Sequence, residues 1–325
     1  MSKKQKISPE NIVFLEVDTE DEKTILKAFP QAKIENTVLT DEQIIKKYPN
    51  AEVLCIFIYS PITKKVIYGL KNLKLVVTRS VGYNHIDLRA AQERSIPVCN
   101  VPDYGSHVIA EHVFAILLSS IRQIGAGEIR VGQKNFDYHG LRGIALQGKT
   151  LGIVGMGKIG KNVARIASLG FLMNVIAYDP NPDESLARES HFEYVSLEKI
   201  WRKSDIISFH VPLLKNTKHI VNAKTIKKMK DGVILVNTAR GGIIDTKALL
   251  NGLISGKIAY AALDVLEHEQ NIEKDQNLIH HPRVIITPHI AFYADDSMQK
   301  MYAEGIMSIH VFLGQGKLFH QVRGL

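Results

Sequence analysis

Leu151-Gly152-Ile153-Val154-Gly155-Met156-Gly157-Lys158-Ile159-Gly160 is the stretch that decides the reading of this chain. An apolar run ends in three glycines at the spacing GxGxxG, and apolar residues then recur at Ile159, Val163, Ile166 and Ala167, one stripe of an amphipathic helix. A second strand-like run, Asn174-Val175-Ile176-Ala177-Tyr178, ends in Asp179, about 20 residues beyond the glycines. Strand, glycine turn, helix, strand and acid stand in the order of a dinucleotide-binding unit. The reasons are physical. Gly155 permits the tight turn, Gly157 lets backbone approach a pyrophosphate, and Gly160 lets the helix pack closely on the strand, with Lys158 and Ile159 at its start. Asp179 can accept hydrogen bonds from both ribose hydroxyls and would repel a 2′-phosphate, so the expected cofactor is NAD rather than NADP.

Working outward, apolar runs alternate with polar helical stretches almost throughout. Strands are expected over 12–17, 53–58, 75–78 and 98–100, then over 206–210, 233–237, 259–264 and 284–287, with a long helix over 108–122. This alternation predicts an α/β protein with two doubly wound parallel sheets. The last helical pattern, 295–313 (Met298, Met301, Tyr302, Ile309, Phe312), needs an apolar partner outside a nucleotide sheet that is by then complete. It is expected to return to the first domain. The expected division is therefore a discontinuous domain, 1–104 with 296–325, and a nucleotide-binding domain over 105–295, with a cleft between the lobes.

Composition sets limits. The chain has 325 residues, 45% of them hydrophobic and 23% charged, as in ordinary globular proteins of about two domains. No apolar run reaches the roughly 18 residues of a membrane helix, and residues 1–6 read as a solvated tail rather than a signal peptide. The net charge of +8 raises nucleic acid as a partner. The lysines are spread out, however, and the densest group (Lys224, Lys227, Lys228, Lys230) reads as the wet face of a helix. Neither nucleic acid nor membrane is expected as a partner. Cys55 and Cys99, both in apolar runs, read as buried thiols of a cytoplasmic protein.

Three further segments carry chemistry, each at the end of an expected strand, where open α/β sheets bind ligands. Val236-Asn237-Thr238-Ala239-Arg240-Gly241-Gly242 offers a guanidinium that can hold a carboxylate through two parallel hydrogen bonds. Leu263-Asp264-Val265-Leu266-Glu267-His268-Glu269 offers acids, and Thr287-Pro288-His289-Ile290-Ala291 offers a histidine able to exchange a proton near neutral pH. A zinc reading of His107-Val108-Ile109-Ala110-Glu111-His112 fails on geometry, because positions five apart on a helix diverge by about 140°. No metal site is expected.

With these residues in hand the chain resembles the D-isomer-specific 2-hydroxyacid dehydrogenases over nearly its whole length. The resemblance rests on Ser80-Val81-Gly82-Tyr83-Asn84-His85-Ile86-Asp87, Asn100-Val101-Pro102-Asp103-Tyr104, Ala110-Glu111-His112, the glycine turn, His210-Val211-Pro212 and the three segments above. It implies that Arg240, Glu269 and His289 are the catalytic set, with Glu267 at a variable position. It also implies cofactor contacts from Val211, Pro212, Thr217, Thr238, Ala239, Arg240, Asp264, His289 and Ala291, and a homodimer. Substrate contacts implied are Tyr59, Val81, Gly82, Tyr104, Arg240, His289 and Phe292. The aromatics at Tyr104 and Phe292 are similar to those of the D-lactate dehydrogenase branch, which implies a pyruvate-like 2-oxo acid. The loop Tyr59-Ser60-Pro61-Ile62-Thr63 lacks the arginine of the phosphoglycerate branch. Glyoxylate or hydroxypyruvate reduction stays open, as does a different class, the NAD-sensing corepressors of the same superfamily. Gln270, where many members have proline, is the one departure in the acid segment.

Overall fold

Long β-branched runs such as Thr150–Val154 and Val233–Asn237 are apolar on both faces, which suits strands buried in a parallel sheet with helices on either side. The structure, a computed structural model, describes residues 7–189 and 192–322, and the expected N-terminal tail lies outside them. Two compact units divide the chain. One runs up to Tyr104 and resumes at Ala294, and the other is Gly105–Tyr293.

The first unit contains strands β1 (Ile12–Phe14), β2 (Lys33–Ile34), β3 (Val53–Ile56), β4 (Leu75–Thr78) and β5 (Val98–Cys99). They form one parallel sheet in the order β2-β1-β3-β4-β5. Short crossover helices start at side-chain caps. Thr40 and Gln43 form a capping box before Asp41–Lys47, and Asp87 caps Leu88–Glu93. The helix Asp295–Leu313 belongs to this unit, where Phe29 stacks on His310 at 4.6 Å.

The second unit contains β6 (Thr150–Val154), β7 (Asn174–Tyr178), β8 (Phe192–Tyr194), β9 (Ile206–Phe209), β10 (Val233–Asn237), β11 (Ile258–Leu263) and β12 (Val284–Ile286). All pair in parallel, in the order β12-β11-β10-β9-β6-β7-β8. The order reverses between β6 and β9, as in a dinucleotide-binding sheet. The helix Ser106–Ile121 buries Ala110, Val113, Phe114, Ile116 and Leu117 in a core shared with Leu151, Ile153 and Val163. No single helix among the described residues is long and apolar enough to cross a membrane.

Several expected strands are shorter than the apolar pattern. The first ends at Phe14 rather than 17, because Glu16 takes a left-handed backbone (φ 57°) that no strand accommodates. The strand expected over 53–58 ends at Ile56. The long helix starts at Ser106, two residues before its apolar stripe. The edge strands β2 and β8 carry no apolar run of their own.

Candidate active site

Strand pairing places one row of residues across the second sheet: Tyr178, Val154, Phe209, Asn237, Leu263 and Ile286 are partners in register. The segments singled out by sequence all begin just past this row, at the carboxyl edge. Asp179, Gly155, His210, Thr238 and Asp264 come directly after their strands, and His289 lies three residues beyond Ile286.

The glycine turn sits at the reversal point. Gly155 has φ +100°, and a Cβ there would lie 2.7 Å from the His210 carbonyl oxygen and 2.8 Å from Val211 Cγ1. A Cβ on Gly160 would overlap the Gly155 carbonyl oxygen, whereas one on Gly157 would meet nothing within 4 Å. The backbone is therefore closed on the protein side and open at Gly157. That residue is also the N-cap of the helix Lys158–Arg165 and has no side chain to satisfy the first amides. An open backbone at a helix start that no side chain caps suits a pyrophosphate, so the turn fits a dinucleotide. Ile159 is half-buried and Lys158 exposed. Asp179 Oδ2 accepts the Met156 N–H (2.8 Å) and Oδ1 accepts that of Asn181 (2.9 Å). Each carboxylate oxygen keeps a second acceptor position for a hydroxyl.

Beyond β9, Thr217 Oγ1 donates to the Pro212 carbonyl (2.6 Å) and accepts from the Leu214 N–H (2.7 Å), closing the loop 212–217. His210 is held neutral, since burial pushes its pKa down to about 3, and its Nε2 lies 2.8 Å from Ser208 Oγ. After β10, the buried Thr238 Oγ1 has no hydrogen-bond partner among the described residues. Ala239 donates its N–H to Asn237 Oδ1 (3.0 Å), and Arg240 Nη1 donates to the Ala239 carbonyl (2.7 Å). Asn237 Nδ2 donates in turn to the Arg240 carbonyl (2.9 Å), which braces the turn carrying the guanidinium.

His289 and Glu269 meet directly, Nδ1 to Oε2 at 3.2 Å. Both side chains are partly accessible, at 18% and 32%, so the pair can reach a ligand. Glu269 Oε1 also accepts the Leu266 N–H (3.3 Å). His289 has a left-handed backbone (φ 55°), unusual for a residue bearing a side chain. Asp264 holds it there. The Asp264 carbonyl accepts the His289 N–H (2.9 Å), and its carboxylate accepts from Thr287 Oγ1 (2.5 Å), the Ile290 N–H (2.9 Å) and the Ala291 N–H (2.9 Å). Burial alone would raise the Asp264 pKa, but these donors together with His112 outweigh it and leave it lowered.

Sequence reasoning assigned His112 no role, yet its Nε2 lies 3.1 Å from Thr287 Oγ1 and 3.5 Å from Asp264 Oδ1. The motif was visible, but helical spacing could not say which strand end it would meet. Glu267 does not face the histidine pair. It binds His219 Nε2 (2.5 Å) and accepts the Thr246 N–H (3.1 Å), a structural tie between two loops.

Phe292 packs edge-on to His289, centroids 6.5 Å apart. In the first unit, Tyr59 and Val81 are exposed, Gly82 half-buried and Tyr104 buried. The loop around Val81 is fixed by Ser80 Oγ donating to the Gly82 carbonyl (2.6 Å) and Asn100 Nδ2 donating to the Val81 carbonyl (2.9 Å).

Residues 114–291 match the D-isomer specific 2-hydroxyacid dehydrogenase, NAD binding domain. A hydroxypyruvate reductase of Thermotoga maritima is 37% identical, the match covering 85% of this chain and 89% of that one. An aromatic 2-oxoacid reductase of Clostridium sporogenes is 39% identical over 77% of this chain and 78% of its own. The crystal structure of D-lactate dehydrogenase from Aquifex aeolicus, complexed with NAD and lactic acid, superposes with a TM-score of 0.86 at 34% identity, covering 94% of this chain and 96% of that one. A dinucleotide turn, a histidine–carboxylate pair and an arginine along one sheet edge thus coincide with matches over most of the chain, which belongs to the D-isomer specific 2-hydroxyacid dehydrogenase family and is an NAD-dependent enzyme of that class.

Proposed function

We propose that the chain reversibly reduces a small, pyruvate-like 2-oxo acid to the D-2-hydroxy acid. The carrying observation is the His289–Glu269 pair, held at the same sheet edge as the glycine turn and Arg240. Bound NADH supplies hydride to the carbonyl carbon. His289, protonated and held by Glu269, donates a proton to the carbonyl oxygen, and in the oxidative direction the neutral ring takes it back. Arg240 binds the substrate carboxylate through its planar fork and fixes which carbonyl face is presented. Asp264 and Thr287 keep the His289 turn in place.

The small side-chain pocket is supported by the Phe292 ring beside His289 and by likeness to an enzyme crystallised with lactic acid, and Tyr104, buried in the first unit, is proposed as a substrate contact. Tyr59, Val81 and Gly82 are proposed as further substrate contacts. The relatives that reduce hydroxypyruvate and aromatic 2-oxo acids make those acids the informative competitors. NADH oxidation measured with pyruvate, 2-oxobutyrate, glyoxylate, hydroxypyruvate, phenylpyruvate and 3-phosphohydroxypyruvate tests the assignment. The highest kcat/KM is expected for pyruvate or 2-oxobutyrate. A preference for hydroxypyruvate or phenylpyruvate would keep the chemistry and overturn the pocket, and silence with NADH bound would favour a sensor.

Asp179 is proposed to bind the adenosine ribose. Asp179→Ala is expected to reduce the preference for NADH over NADPH by about tenfold, since one charged hydrogen bond contributes about 1.5–3 kcal/mol. An unchanged ratio of kcat/KM values would remove Asp179 from that role. A homodimer built on the second unit is supported by apolar side chains left in water at Ile124, Ile129, Val131, Phe136 and Tyr138. Light scattering is expected to give twice the chain mass, and a monomer at micromolar concentration would contradict it. Both cysteines are free and buried, which fits a reducing compartment such as the cytoplasm.

A further inference from the structure

The first sheet has its own reversal point, between β1 and β3, where the chain leaves toward β2 on one side and returns to β4 and β5 on the other. In open α/β sheets this is where a ligand, often an anion, is received by backbone amides. Here the crevice is filled from within. Glu16, two residues past β1, accepts the Tyr59 N–H at 2.9 Å through Oε2 and the Ser60 N–H at 2.6 Å through Oε1. Its carboxylate stands where a bound anion would stand.

Two observations separate this from an ordinary loop contact. Glu16 has a left-handed backbone (φ 57°), a costly state for a residue with a side chain unless its surroundings enforce it. They do. Arg79, fully buried, donates from Nη2 to the carbonyl oxygens of Leu15 (2.9 Å) and Glu16 (2.7 Å), and from Nη1 to that of Cys55 (3.1 Å). Its guanidinium lies 4.8 Å from the centre of the Tyr302 ring. Arg79 also opens the segment Ser80-Val81-Gly82 after β4. One buried cation and one carboxylate therefore fasten the ends of β1, β3 and β4 to one another, and two of those ends carry the proposed substrate contacts Tyr59 and Val81–Gly82.

The geometry points to Glu16 as a positioning residue that sets the Tyr59–Ser60 backbone for 2-oxo acid binding, an inference that rests on the proposed substrate role of Tyr59. Glu16 touches no reacting atom in this scheme, so its removal acts on substrate affinity and leaves the hydride step alone. A glutamine keeps one acceptor oxygen for the two amides, and alanine keeps none.

The test compares Glu16→Gln, Glu16→Ala and Tyr59→Ala, using the most rapidly reduced acid of the panel above. Glu16→Ala is expected to raise KM for that acid about tenfold, with kcat and the KM for NADH within twofold of the parent, and Glu16→Gln is expected to fall between. A lowered Tm with an unchanged KM in either Glu16 variant would mean that the carboxylate only stabilises the loop, and would overturn the inference. Should Glu16→Ala fail to fold, the glutamine variant still decides. Tyr59→Ala separates the two levels. A raised KM there with none in the Glu16 variants defeats the positioning role alone. An unchanged KM in Tyr59→Ala removes the substrate reading of this loop, and the inference with it.

Discussion

His289→Ala is expected to lower kcat for 2-oxo acid reduction by about 10²- to 10⁴-fold, the range of a positioned general acid, while the dissociation constant for NADH stays within about threefold. The asymmetry has a geometric cause. The histidine ring faces Glu269 and Phe292, whereas the glycine turn that fits the dinucleotide comes after a different strand, β6. Glu269→Gln keeps the shape of the partner but not its charge, so the protonated ring loses its counter-ion. Its kcat is expected to fall by about tenfold, a smaller loss than in the alanine variant, since one hydrogen bond to a charged group contributes about 1.5–3 kcal/mol. Stopped-flow reduction at saturating NADH reads both effects. An alanine variant that kept a tenth of the parental rate would remove His289 from proton transfer. A glutamine variant with the parental rate would make Glu269 a mere neighbour.

Much of this site was legible because its parts are tied to strand ends. A buried parallel strand is an apolar run, and the residues just past its end lie at the ligand edge, so Asp179, Arg240, Asp264 and His289 could be placed from the order of the residues alone. The Glu269–His289 pairing came from resemblance, since twenty residues separate the two and spacing alone joins neither to the other. The parts that stayed hidden depend on contacts between distant elements. His112 lies 175 residues from Thr287, and no periodicity in the helix says that its ring reaches the carboxyl end of β12. Glu16 reads as a polar residue inside a strand pattern, and its carbonyl is held by Arg79, sixty-three positions away. The edge strands β2 and β8 were missed because a short, half-exposed edge needs little apolar sequence.

Asp264→Ala is expected to lower kcat by about 10²-fold even at saturating NADH, and to destabilise the fold by about 3 kcal/mol. Two backbone amides, of Ile290 and Ala291, would lose their acceptor, the Ala291 one inside the protein, and an unpaired buried donor costs about 1–3 kcal/mol. The left-handed turn at His289 persists only while the bonds around it enforce it, so it would relax and carry the ring away from Glu269. Asp264→Asn is the sharper probe, because its shape is kept while one side now presents an N–H to a donor. Its stability deficit should be steady from pH 8 to about pH 5 and shrink below about pH 4. The folded-state pKa of Asp264 is lowered, so its contribution is complete above the unfolded value and disappears as pH falls through the folded one. Were Asp264 only a cofactor contact, the asparagine variant would show weaker NADH binding with kcat restored at saturation. A kcat within twofold of the parent under those conditions would refute its role in holding the His289 turn.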